Sequence, residues 1–183
     1  MNETLVKLKS LPLSDLDINE KLNGRTKIFM YRDLKHINDI EQLFNNSNDS
    51  VVILYEKKPK IGHWVCMIRY VKKGKPTIEF FDSYGIFPDD QKKHISKEFL
   101  KTSEQDFNKI AELLYKASDR YAIEFNDHKL QKWAPGIATC GPHVVSRIMM
   151  KDLPLEKCNA FLNSFKDKGL SPDDVVTVIA HYL

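Results

Sequence analysis

Residues 138–143 read Ala-Thr-Cys-Gly-Pro-His and lead into an apolar run: Val144, Val145, Ile148, Met149 and Met150. Small and turn-forming residues precede Cys140. Pro142 stands where a helix tolerates proline, because an N–H group in the first turn has no partner within the helix. We therefore predict that Cys140 is the first residue of a buried helix. The positive end of the helix dipole would stabilise its thiolate and lower its pKa, as a cysteine nucleophile requires.

The length and composition of the chain indicate one globular domain over residues 1–183. A chain of 183 residues can build one domain with a core but not two comfortable ones. Hydrophobic residues make up 42% and charged residues 29%, which is an ordinary globular balance. No apolar run approaches the roughly 20 residues that a membrane helix needs, and no secretory signal is visible at the amino terminus. We expect no membrane partner.

The cysteines and histidines show no metal-ligand spacing. Cys66, Cys140 and Cys158 are too few and too widely spaced for a disulfide framework or a paired-cysteine zinc site. We therefore expect reduced thiols, no bound metal and an intracellular location.

The formal net charge of +3 is too weak to indicate nucleic-acid binding by itself. Basic residues do cluster at 56–60, 72–75 and 92–93. These clusters are either solvated loop tips or an edge that contacts a polyanion such as DNA.

Hydrophobic periodicity predicts strands over residues 26–30, 51–55, 63–70, 77–81 and 121–125. It predicts helices over residues 15–24, 33–44, 107–117, 140–150, 155–165 and 173–183. Strands in the middle of the chain and helices at both ends indicate an α+β fold, with a central, mostly antiparallel sheet packed by helices.

Two residues upstream of Cys140 could supply the base that a cysteine nucleophile needs. His63 opens one predicted strand, and Asp82 follows the next. Adjacent antiparallel strands would bring these two residues together at one end of the sheet. Asp82 would then accept a hydrogen bond from one imidazole nitrogen while the other faces Cys140. Taken singly, each residue has an ordinary structural explanation: a small apolar residue, a strand histidine and a turn aspartate.

Gln131 lies shortly before Cys140 in the sequence. Its side-chain amide and the backbone N–H of Cys140 could donate hydrogen bonds to a developing oxyanion. His143, one helical turn past Cys140, is a weaker candidate for the base than the strand-borne His63.

The ordered set Gly-His-Trp (62–64), Phe-Phe-Asp-Ser-Tyr-Gly (80–85), Gln131 and Cys-Gly (140–141) resembles the adenain-like clan of cysteine proteases. This clan includes the adenovirus maturation endopeptidase, its counterparts in large DNA viruses, virophages and virus-like transposons, and cellular proteases that remove ubiquitin-like modifiers. The resemblance runs from about residue 11 to residue 150. Its chain order of His, Asp, Gln and Cys is the reverse of the papain order.

The resemblance implies a cysteine endopeptidase. Cys140 would be the nucleophile, His63 the proton shuttle, Asp82 its orienting group and Gln131 the oxyanion donor. Gly62 and Trp64 would line the substrate floor.

The implied substrates are polypeptide precursors, such as viral capsid proteins, that are cut after glycine or another small residue. The chemistry would need no cofactor, although some members of the clan are activated by DNA or a peptide. The implied setting is the host cytoplasm or a virus factory, or the virion itself.

The segment between Gln131 and Cys140 is longer than is usual in this clan. Either this loop bulges, or the Trp133 indole or a backbone amide replaces Gln131 as the oxyanion donor.

Three other functions also remain open. They are a deconjugating protease for a ubiquitin-like modifier, an acetyltransferase with the same His–acid–Cys arrangement, and an inactive relative that binds a partner through the old cleft.

Overall fold

The structure, a computed structural model, describes residues 3–44 and 49–182. The strands are β1 (Lys27–Met30), β2 (Ser50–Lys58), β3 (Ile61–Lys72), β4 (Lys75–Phe81) and β5 (Ala122–Phe125). The helices are α1 (Glu3–Lys9), α2 (Asp15–Lys21), α3 (Lys97–Thr102), α4 (Lys109–Ala117), α5 (Cys140–Met149), α6 (Leu155–Asn163) and α7 (Pro172–Tyr182). Short 3₁₀ segments lie at Tyr31–His36, Ile40–Gln42, Asp90–His94 and Lys166–Lys168. Within the described ranges, no helix has the length and apolar character needed to cross a membrane.

The described residues form a five-stranded sheet in the order β1-β2-β3-β4-β5. The central strands β2, β3 and β4 pair antiparallel through short turns, whereas β1 joins β2 and β5 joins β4 in parallel. The two outer pairs are parallel because long crossovers, over residues 31–49 and 82–121, connect their strands. The α+β fold with a helix-packed central sheet is therefore confirmed, and the sheet itself is mixed.

Helical layers cover both faces of the sheet. On one face, α2, α5, α6 and α7 pack against apolar side chains of β2 and β3. On the other face, α4 and the first two 3₁₀ segments pack against the alternate side chains of β2 to β4. β2 is therefore buried on both sides, which explains its nearly continuous apolar sequence.

The predicted helix over residues 33–44 is wrong. This region contains the 3₁₀ segments Tyr31–His36 and Ile40–Gln42, with extended backbone between them. The side chain of Asp39 caps the second segment, and the side chain of Gln42 accepts hydrogen bonds from the backbone N–H groups of Asn38 and Asp39. These local bonds replace the helical ones, while Leu34, Ile40 and Leu43 still reach the core.

The other predicted elements are present with adjusted ends, and α1 and α3 were not predicted. Cys140 is the first residue of α5, as predicted. The last predicted helix extends to Leu183, which lies outside the described residues, and α7 ends at Tyr182.

The antiparallel register of β3 and β4 positions the candidate site. Cys66 pairs with Phe81, so His63 near the start of β3 and Asp82 just after β4 lie at the same end of the sheet. α5 packs on the same face as the Trp64 and Cys66 side chains of β3. At its far end, Arg147 makes a buried two-point ion pair with Glu79 of β4, with both N···O distances at 2.7 Å. This pair holds α5 to the sheet.

Gly62 permits the close approach of β2 and β3 beside His63. A Cβ atom at this position would lie 1.8 Å from the backbone oxygen of Tyr55. That oxygen belongs to β2 and cannot move away without displacing the strand. The glycine is therefore required by packing, whatever further role it has.

We expect Gly62→Ala to lower the free energy of unfolding by about 1–3 kcal/mol, because the added methyl group overpacks the hairpin. Chemical denaturation measures this loss. Ile61→Ala, at the neighbouring exposed position, is the control and should change stability much less. A Gly62→Ala protein as stable as the parent would show that the strands separate without cost.

Candidate active site

Cys140 lies at the amino end of α5 and is buried, with 7% of its surface exposed. The His63 side chain and the backbone N–H groups of Trp64 and Gly141 lie beside its sulfur and act on the pKa of the thiol. Burial raises the pKa of the Cys140 thiol. The hydrogen bond with His63, the positive charge of His63 and the two backbone donors outweigh burial and lower that pKa below its usual value.

His63 connects Cys140 to Asp82. Its Nε2 atom lies 2.9 Å from Oδ1 of Asp82, which leaves Nδ1 as the ring nitrogen available to Cys140. Burial lowers the pKa of His63, but the charge and hydrogen bond of Asp82, together with Cys140, raise it to about 9. A raised histidine pKa next to a lowered cysteine pKa favours transfer of the thiol proton to the imidazole.

The turn after β4 orients the Asp82 carboxylate. Oδ1 of Asp82 accepts a second hydrogen bond from the backbone N–H of Tyr84 at 2.8 Å. The backbone oxygen of Asp82 accepts hydrogen bonds from the N–H of Gly85 at 3.0 Å and from Nδ2 of Asn126 at 2.6 Å. Gly85 has a φ of +70°, which explains the glycine that closes this turn.

Ser83 attaches Gln131 to the same cluster. The hydroxyl of Ser83 donates to Oε1 of Gln131 at 2.7 Å, and the backbone oxygen of Ser83 accepts from the N–H groups of Leu130 and Gln131. With Oε1 engaged, Nε2 is the amide atom of Gln131 oriented to donate. The sequence predicts a role for Gln131 but not for Ser83. The position of Ser83 directly after Asp82 was the one sequence feature that could have indicated this contact.

Asp173 of α7 braces the backbone on both sides of the loop between Gln131 and Cys140. Its Oδ2 atom accepts from the N–H of Lys132 at 2.9 Å, and its Oδ1 atom accepts from the Thr139 hydroxyl and contacts Nε2 of His143 at 3.1 Å. Burial raises the pKa of the Asp173 carboxyl. The hydrogen bond and charge of His143, together with the hydrogen bonds from Thr139 and Lys132, outweigh burial and lower that pKa. The sequence indicated only a helix start at this aspartate, so its bracing role was missed.

The extra length of the loop between Gln131 and Cys140 forms a bulge that turns at Gly136, where φ is +77°. This bulge carries Trp133 onto Tyr84, with 4.6 Å between ring centroids. Tyr84 in turn stacks on His63 at 4.8 Å with an interplanar angle of 18°.

Trp64 contributes its backbone to the site. Its side chain is 4% exposed, and its indole N–H donates to the backbone oxygen of Leu13 at 2.9 Å. The indole thus anchors the segment before α2, while the backbone N–H faces the sulfur. Gly62 and Trp64 therefore shape the wall next to His63 mainly through the main chain.

Comparison with solved structures places this fold beside a viral protease. The structure of the ASFV pS273R protease matches 96% of this chain and 68% of its own, with a TM-score of 0.52 and 12% sequence identity. The fold is therefore shared. The SUMO protease Ulp1 also aligns, over 99% of this chain and 76% of its own, with a TM-score of 0.37 and 16% identity.

No protein-family model matches the chain. An uncharacterised protein of Sputnik virophage, V9, is 31% identical to it over 172 residues. The alignment covers 93% of this chain and 95% of V9, so it includes nearly the whole of both proteins. The chain therefore belongs to the protein family that includes V9 of Sputnik virophage.

Proposed function

We propose that this protein is a cysteine endopeptidase. The observation that carries the proposal is the buried series Cys140–His63–Asp82, in which the pKa of the thiol is lowered and that of the imidazole is raised. A low thiol pKa beside a histidine that is held by a carboxylate is the arrangement that nucleophilic catalysis requires. The fold shared with the ASFV pS273R protease supports the same reading.

In the proposed reaction, the Cys140 thiolate attacks the carbonyl carbon of the scissile peptide bond. The negative charge moves to the carbonyl oxygen, where Nε2 of Gln131 and the backbone N–H of Cys140 donate hydrogen bonds. His63 gives its proton to the leaving amine, and the C–N bond breaks. A water molecule, deprotonated by His63, then hydrolyses the thioester and regenerates the thiolate–imidazolium pair.

The exposure of the site supports a small residue before the cut. Cys140 is 7% exposed and His63 only 3%, so little of either residue is accessible to a bulky group. A bulky side chain next to the scissile carbonyl would meet the walls before the carbonyl reached the sulfur. Glycine or another small residue at this position lets the main chain enter.

The proposed substrates are viral structural precursors, including capsid proteins. Two findings support this class: the family includes a virophage protein, and the shared fold occurs in a viral protease. Such an enzyme would act in the host cytoplasm or the virus factory and could be packaged in the virion. The proposed chemistry uses only side chains and water, and assays with and without DNA or precursor peptides would test the need for an activator.

The direct test is to incubate the protein with the capsid proteins encoded beside it and with a proteome-derived peptide library. We expect cleavage after glycine or small residues. Preferential cleavage of a modifier–diglycine reporter would instead indicate a deconjugating protease. Acetyl transfer from acetyl-CoA without peptide cleavage, or the absence of any reaction, would contradict the proposal.

Cys140→Ala should abolish hydrolysis and labelling by iodoacetamide at pH 6, with an unchanged far-UV circular dichroism spectrum. Cys66 and Cys158 are buried, and burial raises the pKa of both thiols, so neither should react under these conditions. Cys158→Ala is the matched control and should keep both labelling and turnover. Retained hydrolysis in Cys140→Ala would rule out this nucleophile.

Asp82→Asn should lower kcat by about 10²–10⁴-fold, because the amide no longer fixes the histidine tautomer or stabilises the imidazolium. Steady-state kinetics on one peptide substrate measure the effect. Asp127→Asn is a matched control, because Asp127 and His128 form an exposed His–Asp pair of similar geometry, with an N···O distance of 2.8 Å. Equal effects of the two substitutions would remove Asp82 from the mechanism.

The pH profiles of two reactions should differ on the alkaline side. Alkylation of Cys140 needs only the thiolate, so its rate should rise through the lowered pKa of Cys140 and then stay level. Peptide hydrolysis also needs the His63 proton, so turnover should fall as pH rises past about 9, the raised pKa of His63. Asp82→Asn should shift this fall to lower pH. Hydrolysis that keeps rising with pH would show that His63 delivers no proton.

A further inference from the structure

An exposed aromatic and basic surface continues outward from His63. We call it the Trp133 surface and define it by Lys57, Tyr84, His94 and Trp133. The Trp133 ring lies between Tyr84 and His94, at centroid distances of 4.6 and 4.8 Å, and the Lys57 ammonium lies 5.2 Å from its centroid. Trp133 is 48% exposed, which is unusual for a residue held by three neighbours. The exposed part of the Trp133 side chain faces solvent next to the candidate site.

The positive charges of Lys57 and of the neighbouring Lys58 and Lys60 are not neutralised by ion pairs within the described part of the chain. Lys57, Lys58 and Lys60 form no ion pair with any carboxylate among residues 3–44 and 49–182. The nearest acidic residue along the chain, Glu56, is buried and engaged by Arg32 and the backbone N–H of Lys60. By contrast, Lys72 at the opposite end of the sheet is paired with both Glu124 and Glu156.

The chemistry of the proposed reaction determines which part of a substrate meets this surface. His63 donates its proton to the leaving amine, so the residue after the scissile bond must lie against His63. Tyr84 covers the His63 ring, and Trp133 covers Tyr84. The residues that follow the cut therefore leave the site across Tyr84 and Trp133, toward Lys57 and His94.

We propose that the Trp133 surface binds the two or three residues after the scissile bond and favours acidic ones. This inference rests on the proposed function and specifies its substrates further. The ammonium of Lys57, poised over the indole, can bind a carboxylate, while the exposed face of Trp133 packs against the aliphatic part of an Asp or Glu side chain. Acidic residues after a small residue would thus mark the preferred cleavage sites.

The basic residues do not form the long stripe that a nucleic-acid duplex would need. Lys92 is buried, and its Nζ atom is bonded to Oδ1 of Asn108 at 2.5 Å. Lys72 and its neighbours lie at the other end of the sheet. Beside the candidate site, Lys57, Lys58 and Lys60 form a short patch without ion pairs in the described ranges, a size that suits a peptide.

Cleavage of a proteome-derived peptide library, with sites read by mass spectrometry, tests the inference. We expect Asp and Glu to be enriched at the first three positions after the cut. Matched peptides with Asp-Glu, Asn-Gln or Lys-Lys at these positions should then differ in kcat/KM. The acidic peptide should be cut about three- to fivefold faster than the neutral one, and the difference should shrink with added salt.

Lys57→Gln should bring the ratio of acidic to neutral kcat/KM close to one, and Lys57→Glu should favour the Lys-Lys peptide. Lys75→Gln, at the exposed start of β4 and at the opposite end of the sheet, is the control and should leave the ratio unchanged. Equal cleavage of the matched peptides would overturn the inference and leave the proposed endopeptidase intact. Absence of cleavage in every peptide would overturn both. Binding of a DNA duplex that depends on Lys57, without discrimination among peptides, would assign the surface to nucleic acid and overturn the inference.

Discussion

The hydrogen bond between His63 and Asp82 determines the charge state of the candidate site. Both side chains are buried, and burial alone would favour neutral imidazole and a protonated thiol. The Asp82 carboxylate reverses this preference, because a negative charge at 2.9 Å stabilises the imidazolium, which in turn stabilises the thiolate. The pairing of β3 with β4, the Gly85 turn and the Asn126 hydrogen bond all help to hold this one contact.

The helix that carries Cys140 is fixed at both ends by buried charges. At its carboxyl end, the guanidinium of Arg147 donates two hydrogen bonds to the carboxylate of Glu79 in the sheet. At its amino end, Thr139 and His143 bind Asp173, which also holds the backbone after Gln131. This attachment at both ends fixes the position of α5, and with it Cys140, relative to the sheet, as the proposed nucleophilic attack would require.

Sequence reasoning succeeded where short patterns carry the information. The Cys-Gly-Pro start of α5, the alternating strands and the turn after Phe81 are local signals, and the structure confirms the elements that they predict. Asp173 and Ser83 were missed because their contacts join segments far apart in the chain. The helix predicted over residues 33–44 failed for a related reason. Its apolar spacing is real, but the side chains of Asp39 and Gln42 capture backbone groups that a helix would use.

Among the described residues, two His–Asp pairs are buried, His63–Asp82 and His143–Asp173, and their surroundings differ. Oδ1 of Asp173 receives the Thr139 hydroxyl in addition to His143, and Nδ1 of His143 is buried without a hydrogen-bond partner in the described part of the chain. Among the described residues, the Nδ1 atom of His143 therefore has no hydrogen-bond partner, a nucleophile included. His63 also pairs with an aspartate, but it lies beside Cys140, which helps to raise its pKa, and Tyr84 stacks on its ring. A base must lie beside the nucleophile that it serves, so the proposed mechanism uses His63 as the base, while His143 helps to hold the start of α5 through Asp173.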